Sequence, residues 1–350
     1  MKNIITCLLV ALGLTTACGQ QNYENTDVKR FLSLTETPGV VVLDVRTPAE
    51  YAEGHLAGAL NINQGDDDFV EKVKAALSTD KTLAIYCRSG RRSANAAGRL
   101  ANEGYKCVNL KGGIIAWKEA GLPITTDNYE VDVFKTKGGK TVKFHALVHA
   151  SIRMEYDGME IQIDPVTKLG QRTIDCTAMP KADCIFVTHE HGDHFDKEAI
   201  RQLSGDKTHL ITNKRGADML GYGEVMANGQ SSKFKSISVE AVPAYNISEG
   251  RQQFHPKGRD NGYILTIDGL RIYIAGDTED IPEMASIKDI DIAFLPCNQP
   301  YTMTPEQLVK AAKTIKPKVL FPYHYGNTDL SGVPAQLKGD NIDVRIRHYE

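Results

Sequence analysis

Apolar residues along the chain fall into two regimes. Up to about residue 121, continuous apolar runs at 40–43, 83–86 and 107–110 alternate with stretches of helical periodicity at 27–34, 67–77 and 93–103, the last stopped by Gly104. Unbroken apolar runs suit strands buried on both faces, and their alternation with helices predicts a parallel sheet with crossover helices. From about residue 128 the strands come in adjacent pairs split by turns, at Asp157-Gly158 and Asp268-Gly269, as hairpins require. Strands and helices alternate again towards residue 350. Gly121-Leu122-Pro123 and the polar run Thr125-Thr126-Asp127-Asn128 separate the regimes. The pattern predicts an α/β chain with two sheet systems and two domains, 24–125 and 128–350.

Ahead of both lies a third pattern. Lys2 precedes an apolar run at 4–14, and Thr15-Thr16-Ala17-Cys18 follows it. A basic start, a short apolar run and small residues form a secretory signal, here 1–18; the run is shorter than the ~20 residues a spanning helix needs. The small residues before Cys18 resemble a bacterial lipobox, with Thr15 where that motif carries leucine. The resemblance implies acylation of Cys18, a short polar tether, and a periplasmic or cell-envelope lipoprotein that meets a membrane only through its lipid anchor.

Composition narrows the function without naming it. The 350 residues are 41% hydrophobic and 24% charged, with 41 basic against 44 acidic side chains and a net charge of −3. That balance gives nucleic-acid binding no electrostatic support. Seven cysteines form no CxxC pair. With Cys7 removed and Cys18 acylated an odd number would remain, so at least one thiol stays free; Cys87 is the candidate.

Cys87-Arg88-Ser89-Gly90-Arg91-Arg92-Ser93 joins the apolar run at 83–86 to the helical stretch at 93–103. A cysteine there faces backbone N–H groups and the positive end of a helix dipole, and three arginines add to the field; all of these favour the thiolate. The surroundings resemble the rhodanese family: Leu43-Asp44-Val45-Arg46, Glu50-Tyr51, Gly54-His55-Leu56-Ala57-Gly58-Ala59 and Gly112-Gly113-Ile114-Ile115-Ala116-Trp117 match its signatures. The resemblance implies a persulfide carried on Cys87, with Arg88, Ser89, Gly90, Arg91 and Arg92 as its cradle, a sulfur donor and a thiol acceptor. A tyrosine-phosphatase loop would put arginine at 93, where Ser93 stands. His55 and Asp44 read as turn and core hydrogen-bonding groups.

The second regime carries a denser cluster. A buried-strand pattern at 184–188 runs into His189-Glu190-His191-Gly192-Asp193-His194. Three histidines and an aspartate in six residues can converge on one or two ions, and imidazole with carboxylate suits Zn²⁺ first, then Mn²⁺ or Fe²⁺. His-x-His-x-Asp-His resembles the signature of the metallo-β-lactamase superfamily, as do Ile161-Gln162-Ile163-Asp164-Pro165, Ala275-Gly276-Asp277-Thr278 and Pro322-Tyr323-His324-Tyr325-Gly326. The resemblance implies an αββα sandwich after a rhodanese-like parallel-sheet domain. It puts His189 and His191 on a first metal, Asp193, His194 and His324 on a second, and Asp277 between, with Asp193 also at the catalytic centre. A metal-held hydroxide would attack an ester, lactone or phosphoester.

The first metal's usual third histidine is missing from the strand near 239–245, which reads Ala241-Val242-Pro243-Ala244-Tyr245-Asn246. Either His255 reaches the metal from a loop, or the first site is weak or vacant. His149, in His149-Ala150-Ser151, matches a histidine near the metal in the ascorbate-phosphate-lactonase-like branch and reads as an outer contact to metal or substrate. Lys257, Arg259 and Asn298-Gln299 are candidates for an anionic substrate, with solvated loop residues as the plainer description. His145, His209 and His348 have no motif. Three functions compete: an exported hydrolase of a small molecule with a separate sulfurtransferase domain, an iron persulfide dioxygenase fed from Cys87, and a non-catalytic surface binding module. Intact Cys87 and an intact histidine motif favour the first.

Overall fold

In a computed structural model, residues 22–126 and 129–349 are described; the expected signal at 1–18, with Cys7 and Cys18, lies outside them. The first sheet has five parallel strands in the order Glu24–Thr26, Lys106–Leu110, Thr82–Tyr86, Val40–Asp44 and Leu60–Asn61. Alternate side chains of one strand serve two cores. Leu83, Ile85 and Cys87 pack with Leu43, Phe69, Val73 and Leu100, whereas Ala84 and Tyr86 pack with Phe31, Val42, Leu110 and Trp117. Both faces are covered, hence the unbroken apolar runs. Each fully buried Phe or Leu here contributes ~1.5–3 kcal/mol relative to exposure.

Helices Val28–Thr35, Phe69–Ala76 and Arg91–Asn102 fall on the three expected stretches. Arg91–Asn102 starts two residues early, because Gly90 at φ 87° turns the chain into it. Two short helices are additional: Gly113–Glu119, and Pro48–Ala52 opened by a capping box between Thr47 and Glu50. His55 is buried, stacks on Tyr51 at 3.6 Å and has Nδ1 3.0 Å from the Tyr51 carbonyl oxygen; Arg46 donates to both oxygens of buried Asp44. Both motif residues thus hold the turn in place.

Beyond Thr125, which exchanges backbone hydrogen bonds with His55, two seven-stranded mixed sheets stack. One runs Glu224–Val225, His209–Thr212, Cys184–Phe186, Met159–Ile163, Ser151–Tyr156, Thr141–Val148, Glu130–Lys135. The other runs Ser231–Phe234, Ile237–Ala244, Asp260–Ile267, Leu270–Ile274, Ile292–Pro296, Val319–Tyr323, Asp343–Val344. Their facing sides share one core, with Phe144, Met154, Ile163, Phe186, Tyr263, Ile274, Phe294 and Phe321 inside. Helix Lys197–Leu203 covers the outer face of the first sheet through Ala199, Ile200 and Leu203. Helix Pro305–Ile315 covers the outer face of the second through Leu308, Val309 and Ala312. The layers are helix, sheet, sheet, helix, as expected.

Strand ends from both sheets meet at one edge of this sandwich. His149, Asp164 and His324 sit there with φ of 57°, 46° and 47°. Left-handed backbone at a residue with a side chain costs of order 1–3 kcal/mol and persists only where the surroundings enforce it. Three such residues at one edge mark it as a site under functional constraint.

Candidate metal centre and thiol site

Every predicted metal residue arrives at that edge. His189, His191, Asp193 and His194 lie on the loop after strand Cys184–Phe186, Asp277 follows strand Leu270–Ile274, and His324 follows strand Val319–Tyr323. The Asp277 carboxylate is the meeting point. Its Oδ2 lies 3.3 Å from His255 Nε2, 3.2 Å from His324 Nε2 and 3.9 Å from His189 Nε2, and its Oδ1 lies 3.2 Å from His194 Nε2. Asp193 Oδ2 faces His149 Nε2 and His324 Nε2, each at 3.3 Å, and His194 Nε2 at 3.8 Å. Three sets of ligand atoms lie within 4.8 Å of one another: His189, His191 and His255; His189, His194 and Asp277; His149, Asp193 and His324.

His255 therefore stands with His189 and His191, brought to them by its loop. His149 belongs to the Asp193–His324 set, its ring 3.7 Å from that of His324. Arg259 turns inward, with Nη2 3.4 Å from His191 Nε2. Lys257 turns away, donating to Glu283 at 2.7 Å and to the Tyr245 hydroxyl at 3.1 Å. Asn298 and Gln299 are engaged with Thr302. His145, His209 and His348 pair with Glu155, Glu224 and Glu130 elsewhere.

The donor set fits divalent cations. His189 Nε2, His194 Nε2, His324 Nε2 and Asp277 Oδ1 are buried and have no hydrogen-bond partner among the described residues, although buried polar atoms normally have one. Ligand atoms 3.2–3.3 Å apart also match a tetrahedral set, whose members sit about 3.3 Å apart at Zn–N distances of ~2.0–2.1 Å. Burial alone would raise the Asp277 carboxyl, but His324 and His194 hold it well below the usual range; Asp193 is likewise lowered, against its burial, by His194, His149 and His324. Burial, with His255 and Arg259 nearby, lowers His191. Ionised carboxylates and neutral imidazole are the ligating forms, so His194 and His324, which the facing carboxylates raise against their burial, would release protons as a cation binds.

Two carboxylates behind the cluster carry a role that the sequence did not assign, although Asp164 stands in one of its motifs. Asp164 accepts from the Thr188 backbone N–H and hydroxyl, both at 2.7 Å, and its Oδ2 sits 2.8 Å from His194 Nδ1. Asp260 Oδ2 sits 3.0 Å from His255 Nδ1. Each engages the ring nitrogen turned away from the cluster, which orients the other nitrogen towards it.

The thiol site is built separately. Cys87, 1% exposed, ends strand Thr82–Tyr86, and its Sγ accepts from Gly90 N–H at 3.2 Å and from the Ser93 hydroxyl at 3.4 Å. Burial opposes ionisation, but Ser93 and the N–H groups of Ser93, Ser89 and Gly90 bring the thiol below its usual value. A side chain at Gly113 would stand 2.3 Å from the Cys87 carbonyl oxygen, so the absence of one there is what lets the two loops touch. Arg88, Ser89 and Arg91 are exposed, whereas Arg92 is clamped to both oxygens of Glu50. Its hydrogen bonds pull the Glu50 carboxyl from 4.5 down to about 2. A depressed carboxyl contributes stability above its unfolded value and loses it as pH falls through the folded one. Glu50→Gln is expected to cost ~1 kcal/mol at neutral pH after solvent screening. Urea denaturation of both proteins should show that gap narrowing below about pH 4.3, towards about pH 2.

Fold and edge cluster define a metal-dependent hydrolase of the metallo-β-lactamase fold. The Beta-lactamase superfamily domain profile matches residues 143–324, and the Rhodanese-like domain profile matches residues 27–120. The chain belongs to the β-lactamase superfamily, in its UPF0173 metal-dependent hydrolase family, and carries a rhodanese-like domain ahead of it. A UPF0173 metal-dependent hydrolase of Thermococcus onnurineus is 30% identical over 225 residues, 59% of this chain and 96% of the relative. That of Thermococcus kodakarensis is 32% identical over 224 residues, again 59% and 96%. Among solved structures, a protein of Parabacteroides distasonis named as a metal-dependent hydrolase is 51% identical, with a TM-score of 0.62 over 63% of this chain and all of that one.

Proposed function

We propose that the chain is an exported two-domain enzyme: a hydrolase of an ester, lactone or phosphoester, joined to a sulfurtransferase domain that carries sulfur on Cys87. The observation that carries the hydrolase half is the Asp277 carboxylate among four imidazole Nε2 atoms at 3.2–3.9 Å. In this reading His189, His191 and His255 hold one cation, Asp193, His194 and His324 hold another, and Asp277 serves both. Divalent ions held there would supply an acidified water and a Lewis acid for the substrate's carbonyl or phosphoryl oxygen. The chain's own groups do the positioning. Asp164 and Asp260 fix His194 and His255, and His149 orients Asp193. A dioxygenase needs only two histidines and one carboxylate with open positions; the larger donor set supports hydrolysis instead.

In the other half, the Cys87 thiolate would take sulfane sulfur from a donor such as thiosulfate, releasing sulfite, and pass it to a thiol. Gly90, Ser93 and the loop arginines stabilise the anionic sulfur. Residues 1–18 would direct export, with Cys18 lipidated at the cell envelope. The test is to load residues 19–350 with Zn²⁺ or Mn²⁺ and assay lactones and phosphate esters. A parallel Fe²⁺-loaded sample receives glutathione persulfide in an oxygen electrode. Hydrolysis without oxygen uptake is expected. Rapid oxygen uptake that His191→Ala removes would replace hydrolysis by sulfur oxidation.

A further inference from the structure

Arg259 is held at the open side of the metal centre. Its side chain is 17% exposed; Nε and Nη2 donate to Asp260 at 2.7 and 2.8 Å, and Nη2 also donates to the Phe254 carbonyl oxygen at 2.8 Å. The guanidinium is thereby locked 3.4 Å from His191, the half-exposed histidine of the cluster. Glu190 lies 3.8 Å from Nε but is itself engaged by Arg215 and Asn213. Nη1 makes no hydrogen bond among the described residues, which leaves its two N–H donors available to a ligand.

Beside it stands an aromatic rim. Phe254, one residue before His255, meets the Tyr301 ring edge-to-face at 5.1 Å, and Tyr301 and Ile247 are 46% and 41% exposed. Asn246 donates to the Tyr301 carbonyl oxygen at 2.7 Å, which ties the His255 loop to the turn at 298–302. That turn touches Gly326, two residues after His324. The exposed Tyr301 ring seated on Phe254, whose carbonyl oxygen holds the Arg259 guanidinium, puts an apolar face beside a fixed cation.

We propose that this centre selects substrates carrying a carboxylate or phosphate oxyanion, bound by Arg259 Nη1, together with a flat apolar group that lies on Phe254 and Tyr301. The assignment rests on the metal-centre reading above. The test is calorimetric titration of the zinc-loaded chain with phenylphosphonate and with methylphosphonate, with zinc content measured on every sample. The ring should tighten binding about fivefold in the wild type, and Tyr301→Ala should erase the difference. Arg259→Met should weaken both probes about tenfold at unchanged zinc content, with Arg259→Lys recovering part of the loss. Equal affinities for the two probes in the wild type would overturn the aromatic half. Unchanged affinity in zinc-replete Arg259→Met would overturn the anion half, and loss of zinc there would make Arg259 a positioning residue and overturn it too. A wild-type chain that holds no zinc, manganese or iron would sink the metal-centre reading itself.

Discussion

Asp277→Asn is expected to strip the metal cluster and silence hydrolysis while leaving the rhodanese-like domain folded. Asparagine keeps the shape and loses the charge. That charge faces Nε2 of His189, His194, His255 and His324 at 3.2–3.9 Å. Replacing a mere outer partner of a metal ligand already costs ~10–100-fold in affinity, so losing the carboxylate proposed to serve both cations should exceed about 100-fold at each. A second effect follows without any metal. The buried carboxylate offsets His194 and His324, both held above the usual imidazole value against their burial, His324 at about 9. Breaking a buried pair by removing one partner typically costs ~3–5 kcal/mol. Metal content by plasma mass spectrometry and thermal unfolding of chelated protein should therefore both fall. His191→Ala makes the contrast: His191 is half-exposed and outside the Asp277 contacts, so its loss should lower metal content and activity with little change in metal-free stability. Wild-type metal content in Asp277→Asn would remove Asp277 from the ligand set.

What the sequence disclosed and what it hid follow from how local each feature is. Four candidate ligands sit within six residues, 189–194, and the Cys87 loop is equally compact, so both could be read in one dimension. His255 could not be assigned because its position depends on strand register. Ala244 and Asp260 are partners across the antiparallel pair of strands Ile237–Ala244 and Asp260–Ile267. The intervening residues form one excursion that leaves the sheet edge and returns to it. His255, five residues before Asp260, is therefore carried back to where a histidine on the first strand would have ended. Asp164 and Asp260 were hidden for a related reason: a carboxylate behind a ligand is defined by the imidazole it meets across the fold. Lys257 and Arg259 look alike in sequence, two cations in one loop, yet Glu283 and Tyr245 turn the lysine outward while Asp260 and Phe254 turn the arginine in. The three central strands of the first sheet, by contrast, were legible, since burial on both faces leaves continuous apolar runs, whereas the edge strands Glu24–Thr26 and Leu60–Asn61 are too short and too exposed to leave one.

Cys87→Ala should abolish sulfur transfer, by more than about 10³-fold as expected for removal of a nucleophile, and leave hydrolysis within about twofold, since among the described residues no hydrogen bond or core packing joins Cys87 to the metal edge. Thiosulfate:cyanide transfer and ester or lactone turnover, measured on the same preparations, check this; His191→Ala should give the mirror result. A single substitution that silenced both activities would mean that sulfur passes from one site to the other. The pH dependence adds a finer reading. Only the thiolate attacks, and the loop lowers the Cys87 thiol below its usual value, so alkylation and transfer should persist to lower pH than for an ordinary thiol of pKa ≈ 8.5 and decline only as pH falls through the shifted value. Ser93→Ala removes the hydroxyl donor to Sγ and should move that decline upward in pH. It leaves the Gly90 N–H bond and the start of helix Arg91–Asn102 in place, so the thiolate keeps its backbone donors. An iodoacetamide rate profile unchanged by Ser93→Ala would assign the shift to the backbone N–H groups and the helix end alone.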